Sequence, residues 1–568
     1  MNISDRKFEI SFILVIFVFH LLMAIQCLNF CDEVVVITSG QQFFSHPESI
    51  SYFFMYYLGT FFAAVWNLFF ADWGIYGFRV FNAIVITITY YIAYRTIKPY
   101  VNKWSVVAGV IMAILAETSD VTMVIHHNSV TCLFTTCAAY FLFRGLTKEK
   151  GVFFLISGIL LGVNVFSRVT NVALAGLIIS LLPYYLYSKN VKNTIRFFFY
   201  SFLGFIVGMG IVILLMTALG HLKLFTEVIE MLFTASQDPL AAHGLQRLLP
   251  RYIKDYASIG GFMLYIYLFL KMSKKLSFFK NGKLALQIVL SIVFTAPLLI
   301  VRSYFFTLQF YYSLMTLCFI YTIYHFKNNK DLVYLSTIAL LIIYLQPLGG
   351  DFGVTNMHSC SIRLAAPLAF GLFGLILKGN VINRFGRIFL YSFIGMVFLL
   401  SANKVVFHRA WYDPTVRWEW NTMPKTKNAN VLLKPGYAKL VDDVMLNLQK
   451  YSDDYNTLFV IGYMPLFNYL SGMPPYLQCC FPDFYSPLML EKQIEKAEQC
   501  HAGKLPIVIR CMADRETVDV YYPSWNDTTD MEPRVKAKYY TYEDFLARHN
   551  YQEVWREESF AILLPSEQ

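Results

Sequence analysis

The sequence predicts a polytopic α-helical membrane protein that carries a small α/β soluble domain at its C-terminus. The 568 residues are 57% hydrophobic and 17% aromatic but only 15% charged, which excludes an ordinary soluble domain. Apolar runs long enough to cross a bilayer recur as far as residue 406. Beyond it, short apolar runs alternate with polar, helix-like stretches, so the predicted domains are residues 1–406 and 407–568.

The first apolar run predicts a membrane span that the mature protein retains. It is about twenty residues long, and no small-residue cleavage site of the signal-peptide type follows it. Twelve further runs have the composition of membrane helices, so about thirteen spans are expected. The runs cover residues 10–30, 80–97, 104–116, 130–146, 152–167, 171–188, 197–219, 257–272, 284–301, 308–326, 332–348, 361–378 and 388–406.

Lysine and arginine residues predict the orientation of these spans. One set of alternate loops holds 21 of them and the other set only 8. Because cytoplasmic loops carry the excess of positive charge, the N-terminus is expected in the cytoplasm and the C-terminal domain on the outer side. Residues 31–79 then form one large outer loop.

The apolar segment 51–70 is long enough to span the membrane, yet we do not count it as a span. Counting it would reverse the side of every later loop and abolish the charge bias. We therefore expect an aromatic-rich helix lying flat at the outer membrane surface.

Asp32 and Glu33 are adjacent carboxylates at the point where the first span should meet water. Charged residues at the edge of a span are costly and often functional, and a polar, aromatic loop over residues 39–48 follows this pair. The sequence therefore predicts a functional site here. The simpler alternative is that both carboxylates mark the end of the helix and remain solvated.

Glu117 and Asp120 form a second acidic group, after the third predicted span. Together with Asp32 they could bind a divalent cation such as Mg²⁺ or Mn²⁺, since carboxylate oxygens are the ligands of these ions. Two solvated helix-end acids are the alternative. The sequence leaves the question of a metal open.

Other polar residues also gather in the predicted outer loops. The glycines of segment 349–353 predict a tight turn that could present Asp351 and Asn356 to a polar ligand. The adjacent His126 and His127 are poorly placed for one metal ion, and one of them could line a polar site. The remaining outer-loop candidates are Asn128, Asn171, Arg168, Arg247, Arg251, Arg302 and Arg363.

Residues 407–568 have the pattern of a small α/β domain. They contain 17 Lys and Arg against 22 Asp and Glu, a net charge of −5. Segments 457–462, 505–510 and 560–564 predict short buried strands, and segments 436–451 and 488–500 predict helices. No glycine loop of the phosphate-binding type is present, so direct nucleotide use is not indicated, and no nucleic-acid partner is expected.

Four cysteines of this domain, Cys479, Cys480, Cys500 and Cys511, could form disulfides if the outer compartment is oxidising. Four cysteines allow three complete pairings, and the sequence does not choose among them. Their spacing does not fit a zinc site.

The layout of the whole chain resembles the GT-C superfold of membrane glycosyltransferases. More narrowly, it is similar to the bacterial relatives of dolichyl-phosphate-mannose protein mannosyltransferases and of aminoarabinose lipid A transferases. Asp32 and Glu33 match the acidic motif of that family's first outer loop, and Glu117 with Asp120 matches the second motif more loosely. A WWDYG-type motif is absent from the C-terminal domain, which argues against an oligosaccharyltransferase.

The resemblance implies transfer of a sugar from a polyprenyl-phosphate donor to a glycan, lipid or protein acceptor on the non-cytoplasmic side. Asp32 would act as the general base with Glu33 beside it, and the transfer would invert the anomeric centre. The arginines that would bind the donor phosphate are Arg168, Arg247, Arg302 and Arg363. The residues that would line the substrate site are His127, Asn128, Asn171, Asp351 and Asn356. The implied location is a bacterial inner membrane with a periplasmic C-terminal domain.

Other classes of protein remain as alternatives. A polysaccharide polymerase or ligase also uses polyprenyl-linked sugars, but it relies more on arginine and histidine than on an acid in the first loop. A transporter would carry its ionisable residues near the middle of its spans, whereas here they lie at the outer ends. A non-catalytic scaffold would not require acids in two separate outer loops.

Overall fold

The computed structural model describes residues 3–28, 32–118, 124–235, 245–275, 283–300, 304–350, 353–355, 360–378, 382–407, 416–462, 464–511, 532–557 and 559–566. The chain is mostly helical, at 75%, with one small sheet near the C-terminus. The predicted fold class is confirmed to that extent.

Sixteen α-helices are described in the N-terminal part, and each of the thirteen predicted runs falls on helical structure. They are α1 (Ile3–Ala24), α2 (Asp32–Gln42), α3 (Tyr57–Phe70), α4 (Gly74–Ile97), α5 (Lys103–Thr118), α6 (His127–Lys148), α7 (Gly151–Asn164), α8 (Leu181–Ser188), α9 (Val191–Ala218), α10 (Leu222–Ala235), α11 (Leu245–Lys275), α12 (Leu284–Ile300), α13 (Tyr304–His325), α14 (Lys330–Leu345), α15 (Ile362–Lys378) and α16 (Arg384–Phe407). Two longer 3₁₀ segments, Pro47–Tyr56 and Val169–Ser180, precede α3 and α8.

Six described helical segments are long and apolar enough to cross a membrane. They are Asp5–Ala24, Pro47–Ile97, His127–Lys148, Val169–Ser188, Val191–Ala218 and Arg384–Phe407. Gly151–Asn164, Leu284–Thr295 and Ile362–Leu377 are apolar but shorter. The count of thirteen crossings therefore stays a prediction beyond these six.

Two sequence-based boundaries are wrong. The first span was expected to reach residue 30, but α1 ends at Ala24 because the backbone of Ile25 and Cys27 hydrogen bonds to Leu432 instead. The stretch between the predicted spans 197–219 and 257–272 was expected to be an outer loop, but it contains α10 and the first turns of α11. The first difference arises from contacts with residues far away in the sequence.

The segment 51–70 is not one continuous helix. It begins as the 3₁₀ segment and becomes α3 at Tyr57, and Gly74, with φ of 55°, separates α3 from α4. Residues Ile50 to Leu58 are almost wholly buried. The predicted orientation of this segment flat on the membrane stays a prediction.

The C-terminal region contains the predicted small α/β domain. Its sheet has the strand order β1-β2-β4-β3, with β1 (Leu458–Ile461) parallel to β2 (Ile507–Cys511). Strand β4 (Phe560–Pro565) runs antiparallel to β2, and β3 (Tyr551–Arg556) runs antiparallel to β4. The helices around this sheet are α17 (Pro435–Leu448), α18 (Leu466–Ser471), α19 (Pro487–Cys500) and α20 (Pro533–Arg548).

The three predicted strands and two predicted helices of this domain are confirmed. Strand β3 was missed because it is a largely exposed edge strand whose charged residues do not produce an apolar run. Among the described residues none of the four cysteines of this domain is in a disulfide, and Cys479, Cys480 and Cys511 are buried as free thiols.

Two hydrophobic clusters form the core. One lies within the helical bundle and joins residues of α4, α5, α6, α13, α14 and α15. The other contains the interior of the C-terminal domain together with α2, the 3₁₀ segment Pro47–Tyr56 and α3. The outer-loop elements and the C-terminal domain therefore share a single hydrophobic interior.

Helices α7 and α9 are held unusually close by glycine pairs. A Cβ atom added to Gly158 or Gly162 of α7 would collide with the carbonyl oxygen of Ser201 or Phe205 on α9. The reciprocal positions, Gly204 and Gly208, have the same relation to the backbone of α7. Small residues at this spacing allow direct backbone contact between membrane helices, which need van der Waals packing to associate.

The glycine contact between α7 and α9 gives a stability prediction. Gly204→Ala is expected to destabilise the protein by about 1–3 kcal/mol, because the added methyl group overpacks a backbone contact. Gly210→Ala is the matched control on the same helix, since nothing lies within 4 Å of its added Cβ. Thermal unfolding in detergent measures both, and equal melting temperatures of the two variants would contradict the close contact.

Candidate functional site

The acid pair forms the first turn of α2 rather than the end of α1. Asp32 and Glu33 are the first two residues of this helix, whose N-terminal amide groups favour a negative charge. The Glu33 side chain is only 2% exposed, whereas Asp32 is partly exposed. The alternative of two fully solvated carboxylates is therefore wrong for Glu33.

Arg79 of α4 is the partner of Glu33. Its Nη2 donates to Glu33 Oε2 at 2.6 Å, and both side chains are buried, at 1% and 2% exposure. Arg79 also donates to the carbonyl oxygens of Ala24, Gln26 and Cys27, at 2.7, 3.1 and 2.6 Å. One guanidinium thereby joins the end of α1, the start of α2 and the N-terminal part of α4.

The second oxygen of Glu33 reaches the segment that follows α5. Glu33 Oε1 accepts a hydrogen bond of 3.2 Å from the backbone N–H of Val124. Both oxygens of this carboxylate thus accept hydrogen bonds from the protein.

Glu117 and Arg363 form a second buried ion pair. Arg363 Nε donates to Glu117 Oε2 at 2.8 Å, and both side chains are at most 6% exposed. The Tyr90 hydroxyl donates to the same oxygen at 3.4 Å. Within the part of the chain that the structure describes, Nη1 and Nη2 of Arg363 and Oε1 of Glu117 have no hydrogen-bond partner.

The two ion pairs lie on one face of α4. Arg79 and Tyr90 are separated by three helical turns, which corresponds to about 16 Å along the helix axis. Tyr311, whose buried hydroxyl also has no partner among the described residues, contributes to the surroundings of Glu117.

The other predicted phosphate-binding arginines differ in their surroundings. Arg168 is buried and donates to the carbonyl oxygens of Gln346 and Leu348. The side chain of Arg247 and the whole of Arg302 lie outside the described residues. In the part of the chain that the structure describes, Nη1 and Nη2 of Arg363 are buried donors without a hydrogen-bond partner.

The turn after α14 is held by side chains that the sequence did not single out. Tyr252 donates to the carbonyl oxygens of Pro347 and Gly350, at 2.8 and 3.0 Å. Asp255 accepts from the backbone N–H and the hydroxyl of Thr355, both at 3.2 Å. Gly349 and Gly353 have φ of 79°, as the predicted tight turn requires. Asp351 and Asn356 lie outside the described residues.

The remaining predicted lining residues are mostly engaged within the protein. The His127 ring stacks on Tyr56 with 3.9 Å between the ring centroids. Asn171 Nδ2 donates to Thr131 Oγ1 at 2.7 Å and to the Asn164 carbonyl at 3.0 Å. Asn128 is buried, and its Oδ1 has no partner among the described residues.

The divalent-cation site stays a prediction, because Asp120 lies outside the described residues. No group of three or more His, Cys, Asp or Glu side chains within the described ranges could hold a metal ion. Glu117, one of the predicted ligands, is paired with Arg363, and Asp120 lies outside the described residues. No step below is assigned to a metal.

Arg79 is the main site residue that the sequence analysis missed. A signal was present, since it is a single arginine directly before the apolar run 80–97 and follows an acid pair in the same outer loop. Its pairing with Glu33 across 46 positions could not be read from local pattern.

The family model of dolichyl-phosphate-mannose-protein mannosyltransferases matches residues 52–218. The match is consistent with the GT-C superfamily of membrane glycosyltransferases and confirms the resemblance drawn from the sequence. It includes Arg79, Glu117 and Arg168 and excludes the acid pair of α2 and Arg363. A comparison with curated proteins found no match. The apolar helices indicate an integral membrane protein, and its residues 52–218 are similar to that family of membrane glycosyltransferases.

The Glu33–Arg79 pair predicts a large effect on stability. Glu33→Ala is expected to destabilise the protein by about 3–5 kcal/mol, because the Arg79 guanidinium would remain buried without its carboxylate. The control is Asp72→Ala, which removes an exposed pair with Lys427 at 3.7 Å and should change stability little. Thermal unfolding of both variants tests this, and a Glu33→Ala effect as small as the control would contradict the role of the pair.

Proposed function

We propose that this protein transfers a sugar from a polyprenyl-phosphate donor to an acceptor hydroxyl on the non-cytoplasmic side of a membrane. The observation that carries the proposal is the buried Arg363 guanidinium, with Nε on Glu117 and two Nη groups that have no partner among the described residues. The family match supports the same donor class.

The unpaired donors of Arg363 suit a phosphate group. A buried donor without an acceptor costs about 1–3 kcal/mol, so a ligand that supplies acceptors is favoured at this position. The two Nη groups form a planar fork that matches two phosphate oxygens, and Glu117 fixes the guanidinium by its Nε. In this proposal Arg363 stabilises the polyprenyl phosphate as it leaves.

Asp32 is the general base in this mechanism. It removes the proton from the acceptor hydroxyl while the hydroxyl oxygen attacks the anomeric carbon. The bond from that carbon to the phosphate oxygen breaks, its electron pair stays on the phosphate, and the sugar configuration inverts. Glu33 orients the start of α2 through Arg79 and the Val124 N–H instead of taking the proton itself.

The positions of the two ion pairs along α4 indicate how the donor would be oriented in the site. The Tyr90 hydroxyl donates to Glu117, the partner of Arg363. Tyr90 lies about three helical turns further along α4 than Arg79. A donor whose phosphate binds Arg363 would extend its sugar toward the N-terminus of α2 and its prenyl chain into the bundle. Arg168, Arg247 and Arg302 remain further candidates for the phosphate, and His127, Asn128, Asn171, Asp351 and Asn356 for the sugar or acceptor.

We propose an undecaprenyl-phosphate-like donor, a glycan, lipid or protein acceptor, and a location in a bacterial inner membrane with a cytoplasmic N-terminus and a periplasmic C-terminal domain. The excess of lysine and arginine in one set of loops supports this orientation.

Removal of the base should abolish transfer. With a panel of polyprenyl-phosphate sugars, wild-type protein in nanodiscs is expected to release polyprenyl phosphate, and Asp32→Asn should reduce kcat by about 10² or more. Wild-type turnover that survives Asp32→Asn would move the base to another residue. A folded wild type that consumes no donor would overturn the proposed reaction.

Removal of the two Nη groups of Arg363 should weaken stabilisation of the leaving phosphate rather than proton transfer. Arg363→Lys keeps the positive charge but loses the two Nη donors, so a weaker hold on the leaving phosphate and a fall in kcat/KM of about 10² are expected. Arg556→Lys, at an exposed position on β3, is the control for an arginine outside the site. An Arg363→Lys variant with wild-type kcat/KM would remove Arg363 from the mechanism.

A further inference from the structure

The segment that carries the acid pair is attached to the C-terminal domain at both of its ends. Asp32 and Glu33 stand at the start of α2, which extends to Gln42. The chain before α2 and the last turn of α2 each hydrogen bond to a different part of the C-terminal domain. Nothing in the sequence indicated these contacts.

The first attachment lies before α2. The Cys27 N–H donates to the Leu432 carbonyl at 2.9 Å, and the Leu432 N–H donates to the Ile25 carbonyl at 2.8 Å. The intervening Gln26 side chain donates to the Trp420 carbonyl at 3.3 Å and accepts from Arg417 Nη1 at 3.2 Å. Residues 25–27 thus form a short parallel bridge with the C-terminal domain.

The second attachment is at the C-terminal end of α2. Gln41 Nε2 donates to the Tyr469 carbonyl at 3.2 Å, and Gln42 Nε2 donates to the Gly472 carbonyl at 3.0 Å. Both acceptors belong to α18 or its C-terminal cap. The side chains of Val34, Val35 and Ile37 are buried in the cluster that contains the interior of the C-terminal domain.

A helix of eleven residues depends on such contacts for its position. Isolated helices of this length are marginal in water, so α2 takes its stability from tertiary packing. Arg79 holds the first turn from the membrane side, and the two attachments hold the helix from the C-terminal domain. The acid pair lies between these supports.

We infer that the C-terminal domain positions Asp32 for proton transfer, and that Gln41 and Gln42 are positioning residues for this base. The inference rests on the proposed function. Misplacement of a catalytic group by about 1 Å can cost about 10² in rate, so a small shift of α2 is enough to matter. Donor binding at Arg363, which is on α15, does not involve these contacts.

The test uses the full-length protein with Gln42→Glu and with the milder double variant Gln41→Ala/Gln42→Ala. In Gln42→Glu a carboxylate oxygen replaces the amide that donates to the Gly472 carbonyl, so the attachment becomes repulsive. We expect kcat to fall about ten- to a hundredfold while the donor KM stays within about twofold of the wild type. Gln552→Ala, exposed on β3, is the control and should leave kcat unchanged.

Two further measurements separate positioning from a general loss of fold. Amide hydrogen exchange over residues 32–42 should become faster in the Gln42→Glu variant, while exchange in the α7 and α9 helices stays as in the wild type. In the Asp32→Asn background, Gln42→Glu should cause little further loss of transfer, because the two changes act through the same group. An additive loss, or a rise in donor KM with constant kcat, would overturn the inference.

Failure of this inference can be told apart from failure of the proposed function. If the wild type transfers sugar and both glutamine variants keep wild-type kcat and exchange, the attachment does not position the base. If the wild type transfers no sugar, the proposed function fails. The amide hydrogen exchange of residues 32–42 in the glutamine variants then tests by itself whether the C-terminal domain holds α2 in place. Faster exchange over residues 32–42 then supports it, and unchanged exchange overturns it.

Discussion

The buried guanidinium of Arg79 is the interaction on which the arrangement of α1, α2 and α4 depends. A charge removed from water is tolerated only when partners replace its hydration. Arg79 finds these partners in the carboxylate of Glu33 and in three backbone carbonyls at the end of α1, where the helix dipole is negative. Because these groups meet at one point, Arg79 holds the end of α1 and the Glu33 end of α2 against α4.

The two buried ion pairs differ in how many of their polar atoms have hydrogen-bond partners among the described residues. Arg79 donates four hydrogen bonds, so its pair with Glu33 is close to complete without a ligand. Arg363 donates one side-chain hydrogen bond, to Glu117, and its two Nη groups have no partner in the described part of the chain. Since an unpaired buried donor is unfavourable, the second pair is the one that a bound anion would complete.

The shared hydrophobic interior shows that the C-terminal domain packs directly against the elements that follow α1. A boundary at residue 406 stays a prediction, but the core that fills the sheet and its helices also takes in α2, the 3₁₀ segment Pro47–Tyr56 and α3. The elements that follow the first span therefore fold onto the C-terminal domain as much as onto the membrane helices. In the proposed enzyme, the domain is then part of the support of the catalytic base.

The sequence by itself determined that this is a helical membrane protein, where the described apolar helices lie, and three of the four strands of the C-terminal sheet. These features follow from local composition and from the periods of helix and strand, which are properties of neighbouring residues. Only the tertiary structure decided which polar residues meet. Glu33 pairs with Arg79 and Glu117 pairs with Arg363 across 246 positions, and the charge of an isolated residue carries no information about such a partner. The same reason hid the attachment of Gln41 and Gln42 to residues 469–472, because hydrogen bonds to a distant backbone leave no pattern in the sequence.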